Sequence, residues 1–286
     1  MIYILISILL FNILVVFFKL FEKYNVDNLQ ALISNYFTSA ILSFILLDDY
    51  KKISYQFEYD WIFHALILGG LFISIFNIYA FSTQKVGITT TSVINKMSFM
   101  IPVIFSILFY ENEKFAFNIL IGVCLAIIGI YLSSTNKRSF NFDKQYIWLL
   151  LIIFLGQGIV DIILNDSKFY IQKDENILFF LFLFLSATVT GILILISKKQ
   201  IKFIKIKNLI WGALFGIPNF FSIYYFLKAL QSDYFIYKSY LIFPLTSVGI
   251  VVTTTLLGVL FYKELLTKRN IAGIVIAVIS ILIISF

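Results

Sequence analysis

The sequence predicts an all-α integral membrane protein with ten transmembrane helices arranged as two inverted five-helix repeats. Three observations carry that prediction. Of the 286 residues, 61% are hydrophobic and only 13% charged, with a mean hydropathy of +0.98, against about a quarter charged residues in a soluble domain. The apolar residues fall into ten runs separated by short polar breaks. The stretch closing the first half of the chain is echoed at the end of the second half.

A bilayer crossing consumes roughly 20 apolar residues, so ten crossings use most of this chain and leave room only for short loops. The runs lie near 2–21, 29–47, 61–83, 89–110, 115–133, 146–165, 177–196, 209–230, 237–261 and 270–286. Residues 1–133 and 146–286 each hold five of them, divided by the polar linker 134–145. The first run has no basic residue ahead of it and no small-residue cleavage site, and reads as a retained helix rather than a signal peptide. A separate soluble catalytic domain does not fit.

The net charge of +7 comes from 22 Lys and Arg spread over loops between apolar runs, where basic residues set orientation and meet anionic headgroups. That pattern points to the lipid bilayer as partner and away from nucleic acid. With one cysteine, Cys124, and one histidine, His64, neither a disulfide framework nor a zinc site of the usual ligands is available. No glycine-rich nucleotide loop and no spaced nucleophile–base pair appears, so no cofactor is expected. The chain reads as a non-enzyme.

The internal repeat rests on particular positions. Glu113, Gly122, Ala126 and Gly129 align at one constant offset with Glu264, Gly273, Ala277 and Ser280. The three small residues fall on one helical face in both copies, as close helix packing in a bilayer requires. A second, ungapped match pairs Gly70, Asn77, Lys96 and Pro102 with Gly212, Asn219, Lys238 and Pro244. Its offset differs from the first by nine residues, and the first match involves more positions with a structural reason for each. Five helices being an odd number, the second copy enters the membrane from the opposite side. Such inverted repeats characterise many secondary transporters, with the solute site near the midplane.

In these features, Glu113 and Glu264, Gly122 and Gly273, and the neighbourhoods of Pro102 and Pro244, the chain resembles the EamA-type branch of the drug/metabolite transporter superfamily. It departs in carrying Asn112 and Lys263 where that family favours Gly before the Glu. The resemblance implies a transporter of a small solute in the plasma or inner membrane, and in the organic-phosphate and nucleotide-sugar branches lysines on helices 4 and 9 hold substrate anions. It also implies termini inside the cell. The basic residues point the other way: 14 lie in odd-numbered loops, including KKQIKFIKIK at 198–207, and 5 in even-numbered ones. Neither oligomeric state nor direction of flux is legible.

Lys96 and Lys238 are the sharpest candidates for a solute site, because a lysine within a membrane helix costs about 2.5–3.5 kcal/mol on insertion scales. The competing reading is a flexible stem snorkelling to the headgroups. Asn77 and Asn219, which accompany them in the second match, are candidate donors and acceptors. The sixth segment places Gln157, Asp161 and Asn165 on one stripe, with Asp161 either a proton-coupling group or the partner of Lys96 or Lys238. Pro102, Pro218 and Pro244 all fall in membrane segments as helix kinks that free backbone carbonyls. His64 reads as interfacial. An intramembrane enzyme or lipid-handling protein using Asp161 is the alternative from another class, weakened by the lack of a second acid or nucleophile beside it.

Overall fold

The computed structural model describes residues 1–86, 88–110, 117–134, 144–199, 204–262 and 267–285. Its α-helices are α1 Ile2–Lys23, α2 Asn28–Ile45, α3 Ile62–Lys85, α4 Ile88–Met97, α5 Met100–Phe109, α6 Phe117–Ser134, α7 Ile147–Ser167, α8 Asn176–Ser197, α9 Ile206–Leu230, α10 Ser239–Tyr262 and α11 Lys268–Ser285. Glu113, Glu264, Asn112 and Lys263 lie outside the described residues. Among the described residues, five helices, α1, α3, α7, α8 and α9, are long and apolar enough to cross a membrane.

Local chemistry sets several of the boundaries. Asp27 caps α2 by accepting from the Gln30 amide at 2.9 Å, satisfying one of the orphan donors of a helix start. Thr267 and Asn270 cap α11 reciprocally: the Asn270 amide donates to the Thr267 hydroxyl at 3.2 Å, and the Thr267 amide to the Asn270 side chain at 3.0 Å. The fourth apolar segment, expected as one helix over 89–110, is broken between α4 and α5. Pro102 has no N–H to give the carbonyl of Ser98, and its ring crowds that carbonyl. Ser98 accepts instead from the Ile101 amide at 2.9 Å, so the chain tightens and restarts. Pro218 and Pro244 lie inside α9 and α10 without ending them.

The chain forms two compact units, each drawing on both sides of the central linker: residues 1–80 with 166–231, and residues 81–165 with 232–286. In the first unit, α9 packs on α1 and α2 through small residues. Ser7 and Ser222 exchange hydrogen bonds with each other's carbonyls at 2.9 and 3.2 Å. Gly212 lies directly against the Ala31 carbonyl, and a β-carbon at Gly216 would stand 2.7 Å from the Asn35 carbonyl oxygen. Tyr36, fully buried, stacks on Phe184 of α8 with ring centroids 6.1 Å apart.

One end of this unit is closed by polar pairs. The indole of the fully buried Trp61 donates to Glu175 at 2.8 Å, the Gln172 amide donates to the same carboxylate at 3.1 Å, and Asn176 donates to Gln231 at 2.8 Å. Removing one partner of a buried hydrogen bond costs about 1–3 kcal/mol because the other is left desolvated. Glu175→Ala is therefore expected to destabilise the protein by roughly that amount, read as a lower unfolding midpoint in detergent.

Lys52 and Asp174, nearby but exposed, pair at 2.6 Å. The hydrogen bond from Lys52 holds the Asp174 carboxyl below its ordinary value, and the same bond raises the Lys52 ammonium. The stability from Asp174 is present above its unfolded value and is lost as pH falls through the depressed one; that from Lys52 is lost only as pH rises through its raised one. Exposed pairs contribute at most about 1 kcal/mol and are screened by salt. Asp174→Asn is thus expected to shift the unfolding midpoint little, and less still in high salt.

In the second unit, α6 and α11 run antiparallel: Asn118 donates to the Ile283 carbonyl at 3.3 Å and Asn270 to the Leu132 carbonyl at 3.3 Å. The face of small residues picked out from the sequence lies in this seam. A β-carbon at Gly129 would stand 2.6 Å from the Ala277 nitrogen, and Gly122 packs on Ile284 and Ser280. Ala126, Ala277 and Ser280 are fully buried.

Candidate functional site

The break between α4 and α5 leaves Asn95 and Lys96 in the last turn of α4. Opposite them runs the polar stripe of α7. Asn95 donates through Nδ2 to Gln157 Oε1 at 3.2 Å, and Gln157 donates through Nε2 to Asp161 Oδ1 at 2.9 Å. Asn95, Lys96, Gln157 and Asp161 are all half-buried. One turn further, buried Asn165 accepts from the Ser239 hydroxyl at 2.8 Å through Oδ1. Close approach makes this possible: Gly158 of α7 lies on the side chain of Ile101.

The arrangement joins a cation, an anion and two primary amides at the broken end of a helix, all within one compact unit. Every amide in the row points its donor toward the carboxylate, so the row ends on an acceptor. Such a group binds a small charged solute by offering it the ammonium, the amides, or both.

The other expected site residues fall elsewhere. Lys238 precedes α10, whose first residue is Ser239; its carbonyl accepts from the Leu241 and Ile242 amides, and its ammonium sits 4.2 Å from the Tyr234 ring centroid. Segment starts at Ile88 and Ser239, and at Phe117 and Lys268, differ by the offset of the Glu–Gly match. The Lys–Pro match therefore pairs a residue in the middle of its segment with one just ahead of its own, which accounts for the nine-residue discrepancy. Asn219 belongs to the first unit, where it donates to Asn35 Oδ1 at 3.1 Å. Asn77, half-buried on α3, is in that unit too.

The structure adds two groups that the sequence reading passed over. Asn95 adjoins Lys96, but its contact with Gln157 depends on how α4 meets α7. Asn35 is fully buried, and its Nδ2 is without a partner among the described residues; its signal was an asparagine in a small-residue helix. His64 contacts Asp166 at 3.1 Å and stacks on Tyr170 at 5.1 Å, next to the polar end of the first unit. Among the described residues, no three His, Cys, Asp or Glu gather to hold a metal.

The long apolar helices define an integral, multi-pass membrane protein. Residues 1–135 match the model of the EamA-like transporter family, which bears out the resemblance drawn from the sequence; that family consists of membrane transporters rather than enzymes. An uncharacterized protein of Haemophilus influenzae is 27% identical over 274 residues, covering 93% of this chain and 91% of the relative. A solved crystal structure superposes with a TM-score of 0.72 at 14% identity, covering 99% of this chain and 94% of that one. It is similar in fold.

Proposed function

We propose that the chain is a secondary transporter of the cell membrane that moves a small anionic solute by alternating access. In this reading Lys96 neutralises the solute's carboxylate or phosphate, and Gln157 and Asn95 orient it. The observation that carries it is the placement of Lys96, with Asp161 and two amides, at the broken end of α4. Discontinuous helices recur at transporter binding sites because they supply backbone and side-chain polar groups at membrane depth.

Ten crossings in two inverted repeats complete the proposal, with α4 and α5 as one interrupted crossing. The antiparallel course of α6 and α11, the closing helices of the two repeats, supports it. So do the segment starts at Ile88 and Ser239 and at Phe117 and Lys268, which share one offset.

The test is a thermal-shift panel of purified protein with glutamate, pyruvate, citrate and glycerol phosphate, set beside neutral and cationic solutes, followed by counterflow in proteoliposomes. A ligand of the native state raises the unfolding midpoint by mass action. We expect at least one of these anions to stabilise the wild type and to exchange unaltered. The proposal falls if neutral or cationic solutes alone stabilise the protein, or if Lys96→Ala responds to the anions as the wild type does. Lys238→Ala is expected to weaken exchange less than Lys96→Ala, since Lys238 already rests on Tyr234 ahead of its helix.

A further inference from the structure

In the first unit, the start of α1 and the end of α9 gather hydrogen-bond donors that no acceptor of the protein meets. The Lys228 ammonium lies 4.5 Å from the centroid of the Tyr224 ring and 6.0 Å from that of Tyr3. Tyr3 stacks on Tyr225 at 6.0 Å, and Tyr225 meets Tyr224 in a T-shaped contact at 5.5 Å. Among the described residues, neither this ammonium nor any of the three phenol hydroxyls has a hydrogen-bond or ion-pair partner. We propose that the cage binds the phosphate of an anionic phospholipid, whose acyl chain follows the exposed apolar face of α9.

The chemistry of the cage calls for an anion. An ammonium carries three donors and no acceptor. Ring faces attract it and hold it against the helices, but they leave its donors unused and its charge without a counterion. A phosphate supplies both needs through charge-assisted hydrogen bonds, and the phenol hydroxyls can donate to its remaining oxygens.

The position of the cage selects a lipid over a soluble anion. Lys228 stands in the last turn of α9, which crosses over Ile206–Leu230, and Tyr3 in the first turn of α1, whose crossing starts at Ile2. Two crossings thus put the cage at headgroup level, where tyrosines and basic side chains anchor membrane helices and basic pockets between helices hold anionic headgroups. Ile217 and Leu214 precede Lys228 by about three and four helical turns, on the same face of α9, and both are exposed. Ile217 lies roughly 16 Å from Lys228 along the helix, close to half the hydrocarbon thickness of a bilayer. On α1, Leu5 and Leu9 are exposed as well. A cationic cage above an apolar track one leaflet long suits an amphiphile, and a soluble anion would leave the track unused. Held by Lys228 and Tyr3 together, the headgroup would tie α1 to α9 where Ser7 and Ser222 already join them.

The test is thermal unfolding of delipidated protein in a neutral detergent, titrated with phosphatidylglycerol or with phosphatidylcholine of the same acyl chains. Phosphatidylcholine carries its own ammonium beside the phosphate, so phosphatidylglycerol should raise the wild-type midpoint at lower concentrations. Lys228→Met keeps the apolar stem and should weaken the phosphatidylglycerol response about ten-fold or more, as loss of a hydrogen bond to a charged group implies. Lys228→Arg should retain most of it, and Tyr3→Phe, which keeps the ring, should lose less than Lys228→Met. Lys198→Met, at an exposed lysine that caps the end of α8, should respond as the wild type does.

Equal responses of the wild type to the two lipids overturn the proposal without recourse to any variant. An undiminished phosphatidylglycerol response in Lys228→Met overturns it too, as does an equal loss in Lys198→Met, which would report general surface charge. Glycerol phosphate is the soluble arm. If it reproduces the shift in wild type and fails in Lys228→Met, the cage belongs to a soluble anion and the lipid assignment falls. None of these readouts involves Lys96, so the solute proposal and this one stand or fall separately.

Discussion

Replacing Lys96 by alanine is expected to weaken binding of the stabilising anion by roughly ten-fold to a hundred-fold or somewhat more, the equivalent of about 1.5–3 kcal/mol for a hydrogen bond to a charged group. The reason lies in what remains. Asp161 and the amide row stay in place, so an incoming anion meets a carboxylate with no cation to offset either charge. The variant should also unfold at lower temperature, because a half-buried carboxylate left without a cation in its cluster is costly. That deficit should shrink toward acid pH, where Asp161 is neutral. Lys96→Arg keeps the charge and should recover most of the stability. Thermal unfolding with and without each anion, across pH, separates the two effects; a Lys96→Ala protein with wild-type midpoints throughout would show that the ammonium is spectator to both.

Gly129→Leu is expected to be the most damaging single change in the second unit. The β-carbon alone would lie 2.6–2.7 Å from backbone and side-chain atoms of Ala277, and backbone does not yield as the tip of a flexible side chain does. Overpacking of this kind typically costs about 1–3 kcal/mol and occasionally more, and here it would pry apart the α6–α11 seam that holds Ala126, Ala277 and Ser280 out of contact with the surroundings. Gly70→Ala is the control. At Gly70 a β-carbon meets only the Thr190 hydroxyl, at 3.7 Å, so removing a helix-interior glycine there should be neutral or stabilising by up to about 1 kcal/mol. Unfolding midpoints of the two variants should therefore move in opposite directions, or one fall while the other stays fixed. Equal midpoints would mean that the seam is looser than the packing indicates.

Much of this was already legible in the chain. Apolar runs separated by polar breaks located the helices to within a few residues, because membrane length and backbone satisfaction permit few alternatives. The small-residue face of Gly122, Ala126 and Gly129 was readable for the same kind of reason: only small side chains allow helices that close. Lys96 and the stripe of Gln157, Asp161 and Asn165 stood out because polar groups are expensive where they sit. The interruption of the fourth segment was less legible. Pro102 marked a kink, but the break fell upstream at Ser98 and Phe99, since proline disrupts the carbonyl four residues before it rather than its own position.

What the sequence by itself determined is the inventory: which stretches are helical, which positions must be small, and which polar residues have to be accounted for in an apolar setting. These follow from local composition and periodicity, and neighbours in space do not change them. Which polar residue answers which was decided by tertiary structure alone. Lys96 and Lys238 share a sequence pattern, yet one lies in the last turn of a broken helix, next to the Asn95 that bonds Gln157, and the other ahead of its helix on a tyrosine ring. Asn219 was matched with Asn77 along the chain, but in space it bonds Asn35. A pairing across helices depends on their rotation and register, and those are fixed by the packing of Gly129 on Ala277, Gly158 on Ile101 and Gly212 on Ala31, contacts between residues distant in sequence.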